Sequence, residues 1–116
     1  MYEYKAIVKK IYDADTVTVD IDLGFGTWLK NQQIRLYGIN APEVRGESKV
    51  AGFAARDILI KWIPIGSEII IRTRKDDKEK YGRWLGEIFV PDIATKELAS
   101  INEQLVGGGY AVRYME

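Results

Sequence analysis

Neither cysteine nor histidine occurs anywhere in the chain. Without cysteine there is no disulfide frame and no thiolate zinc site. Without histidine, a Ser-His-Asp triad, an imidazole general base and a histidine-ligated zinc are all excluded. A metal ion, if one is used, must be held by oxygen, which narrows the choice to Ca²⁺, Mg²⁺ or Mn²⁺. An excess of either charge is lacking as well: Lys and Arg together number 17, as do Asp and Glu. A protein that holds nucleic acid mainly through bulk charge is usually basic, so a local basic cleft is the form such binding would take here. The stretch from Arg72 to Arg83 has six basic residues against three acidic ones, although on charge alone it reads as a solvated hairpin loop. Long apolar runs are missing too. No stretch reaches the length needed to cross a bilayer, and a basic-then-apolar leader is not visible at Met1, so a cytosolic protein is expected unless a leader has been removed.

What the chain does have is size and pattern for one domain spanning residues 1–116: 47% of its 116 residues are hydrophobic, enough for a core without staples. Tyr2, Tyr4, Ala6 and Val8 alternate with Glu3, Lys5 and Ile7, a strand period. Asp13-Ala-Asp15 breaks it as a turn. Val17, Val19, Ile21 and Leu23 then alternate with Thr16, Thr18, Asp20 and Asp22 in a second strand. Gly24-Phe-Gly26 opens a connection carrying Trp28, and Gln33 to Ile39 reads as a third strand, followed by a loop at Ala41-Pro42. Val50, Phe53, Ala54, Ile58 and Trp62 recur at helical spacing between Ser48 and Ile63, and Pro64 and Gly66 stop that helix. Glu68 to Thr73 and Trp84 to Val90 are further strands. Pro91 to Ala99 fits either a strand or an early helical turn. Ser100 and Glu103 match a capping box that starts a short helix to about Val106, ended by Gly107-Gly-Gly109. Three strands, a helix, two strands and a short helix define a mainly β fold with α (α+β): a five-stranded OB-fold barrel with one long helix and a short C-terminal helix. Fold alone does not make an enzyme.

Three clusters carry chemistry. Asp15 shares strand parity with Val17, Val19 and Ile21, so its carboxylate points towards the barrel and needs a cation or a donor as partner; the plainer reading is that Asp13 and Asp15 only shape a turn. Arg35 stands inside an apolar strand, followed in the loop by Asn40 and Glu43, and an Arg35–Glu43 salt bridge would account for the pair structurally. In Lys80-Tyr-Gly-Arg-Trp84, Arg83 opens an otherwise apolar strand, which by itself is only a hairpin turn.

Taken together, Asp13-Ala-Asp-Thr-Val17, Arg35-Leu-Tyr-Gly-Ile-Asn-Ala-Pro-Glu43, Tyr81-Gly-Arg83 and the late Asn102-Glu-Gln-Leu-Val106 segment resemble the thermonuclease (staphylococcal nuclease-like) family over nearly the whole chain. The resemblance implies a calcium-dependent nuclease that hydrolyses phosphodiester bonds of DNA, RNA or both. It also implies the roles. Asp15 matches the calcium-binding carboxylate, Ala41 the backbone carbonyl offered to the metal, and Asp13 an outer-shell position. Arg35 and Arg83 match the arginines that grip the scissile phosphate, and Glu43 matches the general base. Tyr81, with Lys80 beside it, matches a substrate contact, and Tyr114 is a candidate for an aromatic that stacks on a base. Such roles suit the residue types: an arginine fork donates two hydrogen bonds to a phosphate, and with no histidine present a carboxylate is the natural base.

Two departures from the family pattern matter. Asn40 stands where family members carry a second metal-binding aspartate, so the metal site is one charge short. Ala14 replaces the usual glycine between the two aspartates. Family relatives include domains without catalysis, so a catalytically weakened OB module that binds single-stranded nucleic acid or a protein partner is the rival expectation. No membrane and no obligate protein partner is implied, although an exposed Trp28 loop would leave room for self-association.

Overall fold

The computed structural model describes residues 2–78 and 82–114, and for residues 75–78 the course of the backbone alone. Strands β1 (Tyr2–Asp13), β2 (Thr16–Gly24) and β3 (Thr27–Leu36) form an antiparallel meander. A two-residue strand β4 (Ile39–Asn40) follows, then a 3-10 turn (Gly46–Ser48) and helix α1 (Lys49–Trp62). Next come β5 (Glu68–Lys78), β6 (Trp84–Pro91), β7 (Leu98–Ser100), helix α2 (Ile101–Gly107) and β8 (Val112–Arg113).

Five of these strands close into the expected barrel. β5 pairs with β1 and with β6, and a parallel contact of Ile34, Arg35 and Leu36 with Trp84, Leu85 and Gly86 joins β3 to β6. That seam needs close approach: a Cβ at Gly86 would come within 3.1 Å of the Ile71 side chain and 3.2 Å of Ile34. The interior is filled by Val8, Val17, Val19, Ile34, Leu36, Ile69, Ile71 and Ile88, all fully buried or nearly so, and removal of this apolar surface from water is the main stabilising term.

Helix α1 runs over the residues that its spacing predicts, but its core-facing stripe is Gly52, Ala55 and Leu59. Val50 and Phe53, expected to face the core, are exposed. The reason is local: Gly52 brings the helix against the Glu43 backbone, and this turns the bulkier side chains outward. The third strand begins at Thr27, so Trp28 belongs to a β2–β3 hairpin rather than to a loop. β5 continues past Thr73 to Lys78, and the undecided segment after Pro91 forms a turn at residues 93–95 and then β7.

At α2, Ser100 Oγ accepts the Glu103 N–H at 3.2 Å, as an N-cap should. Glu103 does not reach back to complete the box; its carboxylate takes the Arg113 guanidinium at 2.6 and 3.1 Å. An ion pair with a forked donor outcompetes a single backbone N–H for the same oxygens. The helix ends where the glycines begin, with Gly109 at φ +80°. Asn102 stitches it to the barrel, donating to the Tyr37 carbonyl at 2.9 Å and accepting the Ile88 N–H at 3.1 Å. β8 then pairs with β4, so the C-terminal segment lies beside Asn40.

Candidate active site

The turn between β1 and β2 is pinned from three sides. Asp13 Oδ1 accepts the Asp15 N–H at 3.2 Å, closing the turn on itself. The Leu36 N–H donates to the Asp15 carbonyl at 2.8 Å, tying the end of β3 to it. The Ala41 N–H donates to Asp15 Oδ2 at 3.0 Å, bringing in the loop after β4. Asp15 is buried, as its strand parity predicts, and Asp13 is buried beside it.

Arg35 pairs across the sheet with Thr16 and lies largely buried next to these carboxylates. Its guanidinium stands 3.6 Å from Asp15 Oδ2 and donates to the Leu36 carbonyl at 2.8 Å and to Asn40 Oδ1 at 3.3 Å. The partner of Arg35 is thus Asp15, and the Arg35–Glu43 salt bridge that would have explained the pair structurally is not among the described contacts. Glu43 is exposed and faces Arg45 at 3.6 Å. Arg83 donates to Thr16 Oγ1 at 3.2 Å, and Thr16 Oγ1 lies 3.4 Å from Asp15 Oδ1. A relay of polar contacts therefore runs from Arg83 through Thr16 to Asp15 and on to Arg35.

The two adjacent carboxylates are electrostatically costly. Burial first, and then the neighbouring Asp15, push the Asp13 carboxyl up to about 7, against the pull of the Asp15 N–H and of Arg35.

A cleft of about 620 Å³ opens over this turn, and Asp13, Thr16, Glu43 and Arg83 line it together with Lys10, Tyr12, Thr18, Gln33 and Arg45. Three of the expected site residues, Asp13, Glu43 and Arg83, thus share one cavity. Asp15 and Arg35 do not line it, but each is joined to Thr16, which does: Asp15 through the hydroxyl and Arg35 as its cross-strand partner. Asn40 and Ala41 line a neighbouring depression of about 240 Å³, beside Tyr110 and Val112. Tyr114 is exposed, and its N–H donates to the Gly38 carbonyl at 2.9 Å. The tyrosine at that depression is Tyr110, packed edge-on against Trp62. Lys80 and Tyr81 lie outside the described residues.

Glu43 owes its place to groups that pattern reading passed over. Ser48 Oγ donates to the Glu43 carbonyl at 3.2 Å, and the Glu43 backbone rests on Gly52, where a Cβ would come within 2.0 Å of its carbonyl oxygen. A glycine in the interior of an amphipathic helix was the signal available for this close approach. Lys10 and Tyr12 were likewise missed. The adjacent Lys9-Lys10 pair, breaking the alternation of a strand, marks the bulge that turns them towards the cleft.

The donors available to a cation are all oxygens: the Asp15 and Asp13 carboxylates, Asn40 Oδ1 and the Ala41 carbonyl. Among the described residues no three acidic side chains cluster as a metal-binding group. Oxygen donors are the chemistry a hard cation takes; in this structure Asp15 Oδ2 accepts the Ala41 N–H and Asn40 Oδ1 accepts from the Arg35 guanidinium. Such a set fits neither zinc nor copper, which favour nitrogen and sulfur.

Residues 33–116 match the family described as staphylococcal nuclease homologue. Endonuclease YhcR of Bacillus subtilis is 28% identical over 120 residues, covering 97% of this chain and 9% of that protein. An uncharacterised protein of Methanocaldococcus jannaschii is 29% identical over 132 residues, covering 97% of this chain and 60% of its own length. The chain therefore spans a small part of the first relative and about three fifths of the second.

Proposed function

The chain belongs to the staphylococcal nuclease homologue family, and from that premise we propose that it hydrolyses phosphodiester bonds of DNA or RNA in the cleft over the β1–β2 turn, with a calcium ion as cofactor. One observation carries the reading: Glu43, Arg83 and Asp13, separated along the chain, line a single cavity, and the Arg35–Asp15 pair adjoins Thr16 in its lining.

Asp15, Asn40 and the Ala41 carbonyl would hold the cation, with Asp13 in its outer shell. When bound, a hard cation draws charge from a phosphoryl oxygen and acidifies a neighbouring water. The remaining work falls to side chains of this chain. Arg83, braced on Thr16, presents N–H groups to the phosphate and offsets the charge that grows on its oxygens. Arg35 supplies a second guanidinium, oriented by the Leu36 carbonyl and Asn40. Glu43 accepts a proton from the attacking water as its oxygen bonds to phosphorus. The opposite phosphorus–oxygen bond breaks, and the departing oxygen leaves with the electron pair. The exposed position of Glu43 suits a base that must meet water.

A second reading has one observation in its favour. Asn40 brings no charge, and its oxygen is shared with Arg35, which weakens the cation site and suits a module that binds nucleic acid without cutting it. Single-turnover cleavage of labelled single-stranded DNA by Glu43→Gln and Arg83→Ala separates the two. Loss of a positioned donor of this kind is worth ~10²–10³ in rate. Variants that cut as fast as the parent would trace the activity to a contaminating nuclease.

A further inference from the structure

The outer face of β1–β3 continues from the cleft as a series of cross-strand rows. Lys10, Thr18 and Gln33 are register partners on that face, and all three line the cleft. Further along β2, Asp20 sits between Lys9, at 3.8 Å, and Lys30, at 3.4 Å. Beyond it, Asp22 pairs with Lys5 on one side and Trp28 on the other. Trp28 is 41% exposed, and the Lys30 ammonium stands 5.7 Å from its ring centroid. From Thr16 to Asp22 the strand advances ~20 Å, with like-facing rows ~7 Å apart.

We propose that this face is a track for single-stranded nucleic acid leaving the cleft, with Trp28 as a base-stacking platform and Lys30 and Lys10 as phosphate contacts. The inference rests on the nucleic-acid reading of the cleft and adds a binding surface beyond it.

Two features favour a single strand. Charge is complementary to a phosphate chain: Glu3 on this face is held by Arg72 at 2.8 Å, and Lys5, Lys9, Lys10 and Lys30 otherwise share the face with Asp20 and Asp22, in a chain whose overall charge is zero. Both carboxylates are already engaged, Asp20 by the Asn31 N–H at 2.9 Å as well as by lysines, and Asp22 by the Gly24 N–H at 2.8 Å. The second feature is the pairing of an exposed indole with an ammonium group, which can serve an unpaired base and its phosphate together. A duplex hides its base faces and leaves the indole without a partner.

Tryptophan fluorescence tests the track without any need for catalysis. The intact protein, in chelator, is titrated with oligo-deoxythymidylate of about eight nucleotides, within the usual site size of such folds. Expected are quenching in the parent, binding weakened by ~5- to 100-fold in Trp28→Leu, and recovery in Trp28→Phe, which keeps a stacking ring. Lys30→Gln should weaken binding and flatten its salt dependence. A dinucleotide, too short to reach Trp28, should bind parent and Trp28→Leu alike. Equal octamer affinity of parent and Trp28→Leu would overturn the proposal, as would equal quenching by a duplex of the same length. Failure of the two readings is distinguishable. Stacking at Trp28 without any cleavage removes the nuclease and keeps the track. Cleavage of long strands with a KM untouched by Trp28→Leu removes the track and keeps the nuclease.

Discussion

Gly52→Ala tests whether the helix positions the cleft. The added methyl group would stand 2.0 Å from the Glu43 carbonyl oxygen and 2.4 Å from its carbon. Backbone atoms cannot swing aside as a flexible side chain can, so the loop carrying Glu43 must retreat by about 1 Å to reach even a tight contact, and a misplacement of that size can cost ~10²-fold in rate. Stability should change far less. Overpacking costs about 1–3 kcal/mol, while replacing a mid-helix glycine by alanine returns about 1 kcal/mol. The assay is kcat for cleavage of a single-stranded oligonucleotide well below the melting temperature, with Tm measured in parallel. Gly107→Ala serves as control, since a Cβ there meets nothing within 4 Å. A Gly52→Ala protein that keeps full kcat would refute the claim that this contact sets the position of Glu43.

Other consequences follow from named contacts. Asn102→Ala leaves the Ile88 N–H and the Tyr37 carbonyl without their partner, so denaturant unfolding should show a loss of about 2–4 kcal/mol. Asn40→Asp adds the missing charge beside Asp15 and should tighten Ca²⁺ binding, measured by calorimetry, by roughly tenfold. The Asn31 N–H, aided by Lys30 and Lys9 and opposed by burial, holds the Asp20 carboxyl below its ordinary value. Its contribution to stability is therefore present above pH ~4 and is lost as pH falls through the lowered folded value, and Asp20→Asn should flatten that part of the acid unfolding curve.

The barrel was legible because its evidence is local. Alternation along Thr16–Leu23 and the isoleucine run at 69–71 mark strands with buried faces, and Pro64 and Gly66 mark the helix end. Asp15 could be aimed inward by parity alone. What stayed hidden depends on partners far away in sequence. Asp20 shares parity with outward residues yet is buried, because irregular pairing at Lys9 and at Lys30–Asn31 folds two lysines and an N–H around it. Trp28 looked like loop because the glycines before it conceal a hairpin. The helix stripe was misplaced because periodicity weighs large apolar residues, whereas contact with the Glu43 loop selected a glycine at 52. Asn40 stands out in the sequence as a missing charge, but only the fold shows its oxygen turned towards Arg35.

The most direct test of the central claim is the initial rate at which the purified protein cleaves end-labelled single-stranded DNA and RNA, with Ca²⁺ titrated against a chelator. Expected is cleavage that rises with Ca²⁺, saturates, and vanishes in chelator, with Glu43→Gln slower at every Ca²⁺ concentration. Absence of cleavage under any divalent cation, with both nucleic acids still bound, would contradict it and leave a binding module in its place.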